Sequence, residues 1–170
     1  MQNISLSPHF KLREFTESTT AQKHGIANVP SDEAVENLKR LCEHTLEPLR
    51  EALQLPVVIT SGFRTKELNS MLAHASERSQ HMLGQAADLY VGWNGSVEEK
   101  PSRRELLIKA FHQIILDEAI DYDQLILYPT FIHVSYASRE RNRHTILLGR
   151  RDGKLGYGKC SVQNALKINS

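Results

Sequence analysis

The chain has 170 residues, with 21 Lys+Arg against 20 Asp+Glu and only two cysteines. One domain of this length buries roughly 70% of its unfolded surface. The near-neutral balance argues against a nucleic-acid partner, and two cysteines make no disulfide framework. No apolar run approaches the ~20 residues of a membrane span, so no membrane insertion is expected. The start, "MQNISLSPHFKLREF", lacks a basic-then-apolar leader. The expectation is a monomer made in the cytoplasm, which something else must release if it works outside.

Residues 1–29 are polar and irregular and read as a loop packed over the rest. Ser31 is a candidate N-cap, followed by Asp32 and Glu33 in a first helical turn. Val35, Leu38, Leu41, Cys42, Leu46, Leu49 and Leu53 then recur at steps that give one apolar helical face, and Pro48 predicts a kink or two consecutive helices. Cys42 on that face reads as a small buried hydrophobe. "PVVIT" (56–60) is a β-branched strand running into the turn "SGFRT". "KELNSMLA" is a short helix, 85–91 a second strand and "WNGSVEEKPS" a loop. In that loop Trp93 reads as an anchor or as a platform at a cleft edge.

A helix is expected from Ser102 with Leu106, Leu107, Ala110, Ile114 and Ile115 buried. "DQLILY" and "FIHVSY" form a hairpin about Pro129-Thr130, and "TILLG" (145–149) is a further strand. Helices on one side of a small, mostly antiparallel sheet make the fold α+β. The tail "RRDGKLGYGKCSVQNALKINS" reads as either an ordered extension or a loose end.

Alternation in "FIHVSY" puts Phe131, His133 and Ser135 on one face. A histidine inside such a strand needs partners for its nitrogens. His81 and Asp88 stand seven positions apart around Gly84, Ala86 and Ala87, small residues that leave room for an ion. A catalytic zinc takes three ligands from His, Asp or Glu and leaves a fourth position to water. Two ligands close in sequence and one far away suit that demand, although the spacing by itself is common.

"SGFRTKELN", "SQHMLGQAAD" and "FIHVSY" together, in this order, resemble the zinc D-alanyl-D-alanine carboxypeptidase family, which includes cell-wall DD-peptidases and phage endolysins. "LSPHFKLREFTES" and "NLKRLCEHTLEPLREAL" resemble its single-domain members, so the likeness runs over residues 5–137. It implies a Hedgehog/DD-peptidase-like fold over residues 1–170, with a core of about 5–150 and an extension at 151–170. It also implies Zn2+ held by His81, Asp88 and His133. Arg64 would grip a substrate carboxylate or the developing oxyanion, with Ser79 and Gln80 beside the substrate. The partner would be a peptidoglycan stem peptide, in a phage or prophage setting.

One departure stands out. The family supplies a Glu or His base shortly before the last ligand, whereas "QLILYPTFI" (124–132) contains no Glu, Asp or His. With a tight turn at Pro129-Thr130, Ile126 faces His133, and Asp123 lies about 10 Å along the strand, too far for a direct role. Tyr128 is the nearest polar side chain on that face. A phenol is a poor base but can donate to an oxyanion. Asp121, Glu98, Glu99 and His144 are other groups that loops would have to bring in. The remaining histidines, 9, 24, 44, 74 and 112, have no partner at ligand spacing and read as surface or local structural residues. The alternative function is a weakly active or silent relative, serving as a cell-wall-binding or phage structural protein.

Overall fold

The computed structural model describes residues 4–73, 75–149 and 157–169. Six strands form one sheet in the order β1-β2-β4-β3-β5-β6. They are β1 (Val57–Ser61), β2 (Ala86–Val91), β3 (Gln124–Leu127), β4 (Ile132–Ser135), β5 (Thr145–Gly149) and β6 (Tyr157–Lys159). All neighbours are antiparallel except β3 and β5. The architecture is therefore α+β with a mostly antiparallel sheet, as the sequence pattern indicates.

The long apolar helical face becomes α3 (Asp32–Leu41), a π-helical segment (Cys42–Leu46) and α4 (Glu47–Leu53). The junctions are all right-handed helical, so the helix runs on through Pro48 without a break, and the His44 carbonyl that Pro48 cannot donate to accepts from the Asp121 amide instead. Ser31 caps α3 by accepting from the Ala34 amide. Ser102 and Glu105 form a reciprocal capping box at the start of α6 (Arg103–Leu116), satisfying two end donors at once. Leu38, Leu41, Leu49, Leu107 and Phe111 pack with Leu89, Leu125, Ile132 and Val134 of the sheet in one buried cluster. Asp88 and His133 alternate with these core residues, so they fall on the opposite face.

Residues 1–29 differ from expectation. They hold two short helices, α1 (Leu12–Thr16) and α2 (Thr19–His24). Leu6, Phe10, Leu12 and Phe15 are buried in the main core. The four apolar side chains are too widely spaced for a helical period, which is why the segment reads as polar loop. The tail is ordered where described, through β6 and α7 (Val162–Ala165) with Ala165 buried; 150–156 lie outside the described residues, and so does His74. Trp93 donates its indole N–H to the Ser96 carbonyl and does not line the cleft described below, so it anchors its loop. Cys42 is fully buried and both cysteines are free. No helix among the described residues is long and apolar enough to cross a membrane.

Candidate metal centre

The β3–β4 turn closes through the Tyr128 amide donating to the Phe131 carbonyl, which sets Ile126 opposite His133. On the other edge of β4, Asp88 of β2 pairs directly with His133. Directly opposed residues share a face with Cβ atoms about 5 Å apart, so sheet register alone delivers one imidazole and one carboxylate together.

His81 arrives from a 3-10 turn, Gln80–Leu83, that precedes β2. Gly84 ends it at φ 70°, where a Cβ would lie 2.3 Å from the Ala34 carbonyl oxygen of α3. Ala87 belongs to the core. Gly84 and Ala87 thus serve chain reversal and packing, while Ala86, two positions before Asp88 in β2, shares its face of the strand. Gly84→Ala should cost roughly 2–4 kcal/mol, from left-handed strain plus a backbone clash; urea denaturation measures it.

The three ligand atoms form a triangle. His133 Nδ1 lies 2.9 Å and His81 Nε2 3.4 Å from Asp88 Oδ1, and the two nitrogens are 3.2 Å apart. Donors on a tetrahedral ion at 2.0–2.1 Å are about 3.3 Å from one another, so the triangle fits a zinc-sized ion without rearrangement. His81 Nδ1 contacts the Gly62 carbonyl at 2.6 Å. That contact makes Nδ1 the protonated nitrogen and leaves the Nε2 lone pair aimed at the site, the usual device for orienting a ligating histidine. Among the described residues this is the group of three His, Cys, Asp or Glu side chains able to share a metal ion. Burial tends to raise the Asp88 pKa, but the His81 charge and the hydrogen bonds from His133 and His81 hold it far below the usual carboxylate range. Burial pushes His81 downward, against the pull of Asp88. A metal ion would take the place of the imidazole protons that hold Asp88 ionised, leaving a carboxylate and, as burial favours, a neutral His81.

The turn carrying Gly62 and Arg64, between β1 and α5 (Lys66–Met71), is fixed from both sides. A register shift in β1 between Ile59 and Ser61 re-aims the strand end, as bulges do. A Cβ on Gly62 would come within 2.6 Å of Phe15. Asn28, half-buried in the N-terminal segment, donates to the Thr16 and Phe63 carbonyls and accepts from the Thr65 amide. The Arg64 amide donates to the His81 carbonyl at 3.2 Å. The Arg64 side chain lines the cleft, and its buried Nε has no partner among the described residues. Asn28→Ala is expected to lower stability by about 2–3 kcal/mol, because three backbone groups lose one shared partner.

The triad lies in a cleft of about 760 Å3 that Ser79, Gln80, Tyr128 and Phe131 also line. The Tyr128 ring stacks on Phe131 with centroids 4.4 Å apart. Ser79 makes no cap hydrogen bond through its hydroxyl. Gln80 is engaged inside the protein: its amide donates to Asp123 Oδ2 at 2.8 Å, and its oxygen accepts from Arg143 Nη2 at 3.4 Å. Asp123 is 2% exposed and also accepts from the Arg143 amide and guanidinium. Both carboxylate oxygens are thereby occupied, so Asp123 holds Gln80 and the chain next to His81 in place. Sequence reasoning missed this group. Arg143 lies in the basic stretch "SRERNRHTILLGRR", whose composition carries no sign of a buried partner, and only the Asp123 position at the strand end hints at it.

Burial tends to raise the Asp123 pKa, but hydrogen bonds and charge from Arg143, with Gln80, lower it. A carboxylate depressed on folding stabilises the protein above its ordinary pKa of about 3.9, and that contribution vanishes as pH falls through the lower folded value. Asp123→Asn should therefore cost about 2 kcal/mol at pH 7. The gap from the parent chain should close when urea denaturation is repeated at progressively lower pH below 4.

The other acids weighed from the sequence do not line this cleft. Asp121 pairs with His144 Nε2 at 2.9 Å, and Glu99 accepts from Ser96. His9 pairs with Glu47, His112 contacts the Ala165 carbonyl and His44 stacks on Tyr136. The hollow of about 930 Å3 that contains His9 and Glu47 is larger than the cleft, but it holds none of the triad.

Two imidazoles and a carboxylate at the base of an open cleft, with an arginine donor beside them, have the donor set of a metal-dependent hydrolytic centre. The family model described as Peptidase M15 matches residues 8–105, more than half of the chain, and the protein belongs to that family. Arg64, His81 and Asp88 lie within the matched segment. His133 and Tyr128 lie beyond it, and strand pairing joins His133 to Asp88. No curated protein matches the chain.

Proposed function

We propose that the protein is a zinc-dependent peptidase that cleaves D-alanyl or related stem-peptide bonds of bacterial peptidoglycan, acting once released in a phage or prophage setting. The observation that carries the reading is the 2.9–3.4 Å triangle of ligand atoms, with the Arg64 side chain lining the same cleft. His81 Nε2, Asp88 Oδ1 and His133 Nδ1 would hold the ion. A zinc ion there acidifies a water toward neutral pH and polarises the scissile carbonyl. Arg64 would bind the substrate carboxylate or the developing oxyanion through its guanidinium fork. Tyr128, on the cleft wall, would donate its phenolic O–H to that oxyanion. Ser79 would bind substrate, and Gln80 would position His81 through Asp123.

A second reading rests on a specific observation: among the described residues the cleft holds no spare carboxylate. Its two acids are Asp88, in the triad, and Asp123, saturated by Arg143 and Gln80. A general base contributes about 10²–10⁴-fold, and a protein without one suits a cell-wall-binding module. Purified peptidoglycan, incubated with zinc-loaded protein with and without a chelator, separates the two. New amino groups or released D-alanine, lost with chelator and restored by zinc, support the peptidase. Binding without release at any zinc level supports the module.

A further inference from the structure

We infer that the cleft selects acidic peptides, Arg78 and Arg141 forming a subsite for a substrate carboxylate other than the one held beside the metal centre. This deepens the peptidase reading of the same site. Among the described residues, the Arg, Lys, Asp and Glu side chains lining the cleft are Arg64, Arg78, Arg141, Arg143, Asp88 and Asp123. Both aspartates are consumed, one by His81 and His133 and the other by Arg143. Arg64 stands next to the triad, which leaves Arg78 and Arg141 without an acidic counterpart among the described residues of the cleft.

Arg78 and Arg141 are exposed, and neither makes an ion pair among the described residues. Arg141 Nε reaches only Ser138 Oγ, at a long 3.4 Å. Glu140 feels the charge of Arg141 but does not line the cleft. A neighbouring hollow of about 340 Å3 shares Ser61, Arg64 and Leu72 with the cleft. Its single carboxylate, Glu17, is paired with Arg13. The formal net charge of the chain is only +1, so the excess is local to this cleft. A concave site lined by one sign of charge concentrates ligands of the other, and a planar guanidinium grips a carboxylate through two parallel N–H bonds.

The test uses two N-acetylated pentapeptides ending in D-alanyl-D-alanine and identical except for one internal residue, glutamate or glutamine. Dissociation constants are measured by calorimetry with zinc-loaded protein in low salt and in 0.5 M salt, where the Debye length shrinks to about 4 Å. The glutamate peptide should bind roughly three- to tenfold more tightly, as a pair of partly exposed charge contacts allows. That preference should vanish in 0.5 M salt and in the Arg78→Gln/Arg141→Gln double variant, whose zinc stoichiometry and melting temperature confirm its fold. Equal affinities in the parent protein, binding of neither peptide, or a preference kept by the double variant would overturn the subsite. Cleavage is scored separately. A preference without cleavage leaves the subsite standing and defeats the catalytic reading, and cleavage without a preference does the reverse.

Discussion

His133→Ala and Asp88→Ala should each weaken zinc binding by more than about 100-fold, since even residues that only orient ligands change metal affinity by 10–100-fold. Hydrolysis of stem peptides should fall with it by roughly 10³-fold or more, the several kcal/mol that a Lewis acid contributes. Both effects follow from β2–β4 pairing, which sets these two residues opposite each other with His133 Nδ1 2.9 Å from Asp88 Oδ1. Two remaining donors close the triangle on one side only. The fold should survive, because Asp88 and His133 lie outside the apolar core cluster. Far-UV circular dichroism and metal-free melting temperatures check that survival, and calorimetric zinc titration reads the affinity. Zinc affinity should also fall with pH, because protons compete with the ion for imidazole nitrogen. The depressed pKa of His81 moves its share of that loss to lower pH.

Tyr128→Glu should raise peptidase turnover at pH 7 by at least tenfold, part of the 10²–10⁴-fold that a positioned base supplies. Residue 128 lines the cleft two positions beyond Ile126, which faces His133. A carboxylate introduced there stands on the same face as the last ligand. The replaced ring stacks on Phe131 and lies against Gly149, so the variant should lose about 1 kcal/mol of stability. Tyr128→Phe, which keeps the ring and deletes the O–H, should instead lower turnover about tenfold. Values of kcat for a D-alanyl-D-alanine peptide decide both. A Tyr128→Glu variant slower than the parent chain would mean that the proton is handled elsewhere in the cleft.

Strands β1 to β5 are readable in the sequence because their signals are periodic and local, while the candidate ligand set is legible through the family resemblance of "SQHMLGQAAD" and "FIHVSY". Alternation in "FIHVSY" turns His133 away from the core, and the two-residue turn at Pro129-Thr130 fixes its pairing with Ile126. Apolar spacing and Ser31 and Ser102 caps mark α3, α4 and α6. The N-terminal helices escaped because Leu6, Phe10, Leu12 and Phe15 reach the core through tertiary packing, with no stripe of their own. The Asp123–Gln80–Arg143 group escaped for another reason. Its members come from three separate segments, and an arginine among other basic residues carries no mark of the buried acid it meets. Asn28 is similar: one polar residue in a loop, significant only once the Gly62–Thr65 turn is seen to depend on it.

The most direct test of the account is an anomalous-difference map, recorded at the zinc edge, from crystals of the zinc-loaded protein. One peak within about 2.0–2.2 Å of His81 Nε2, Asp88 Oδ1 and His133 Nδ1, with the Gly62 carbonyl still against His81 Nδ1, is the predicted result. A cleft free of anomalous density while zinc is in excess, or a peak bound through other side chains, would contradict it.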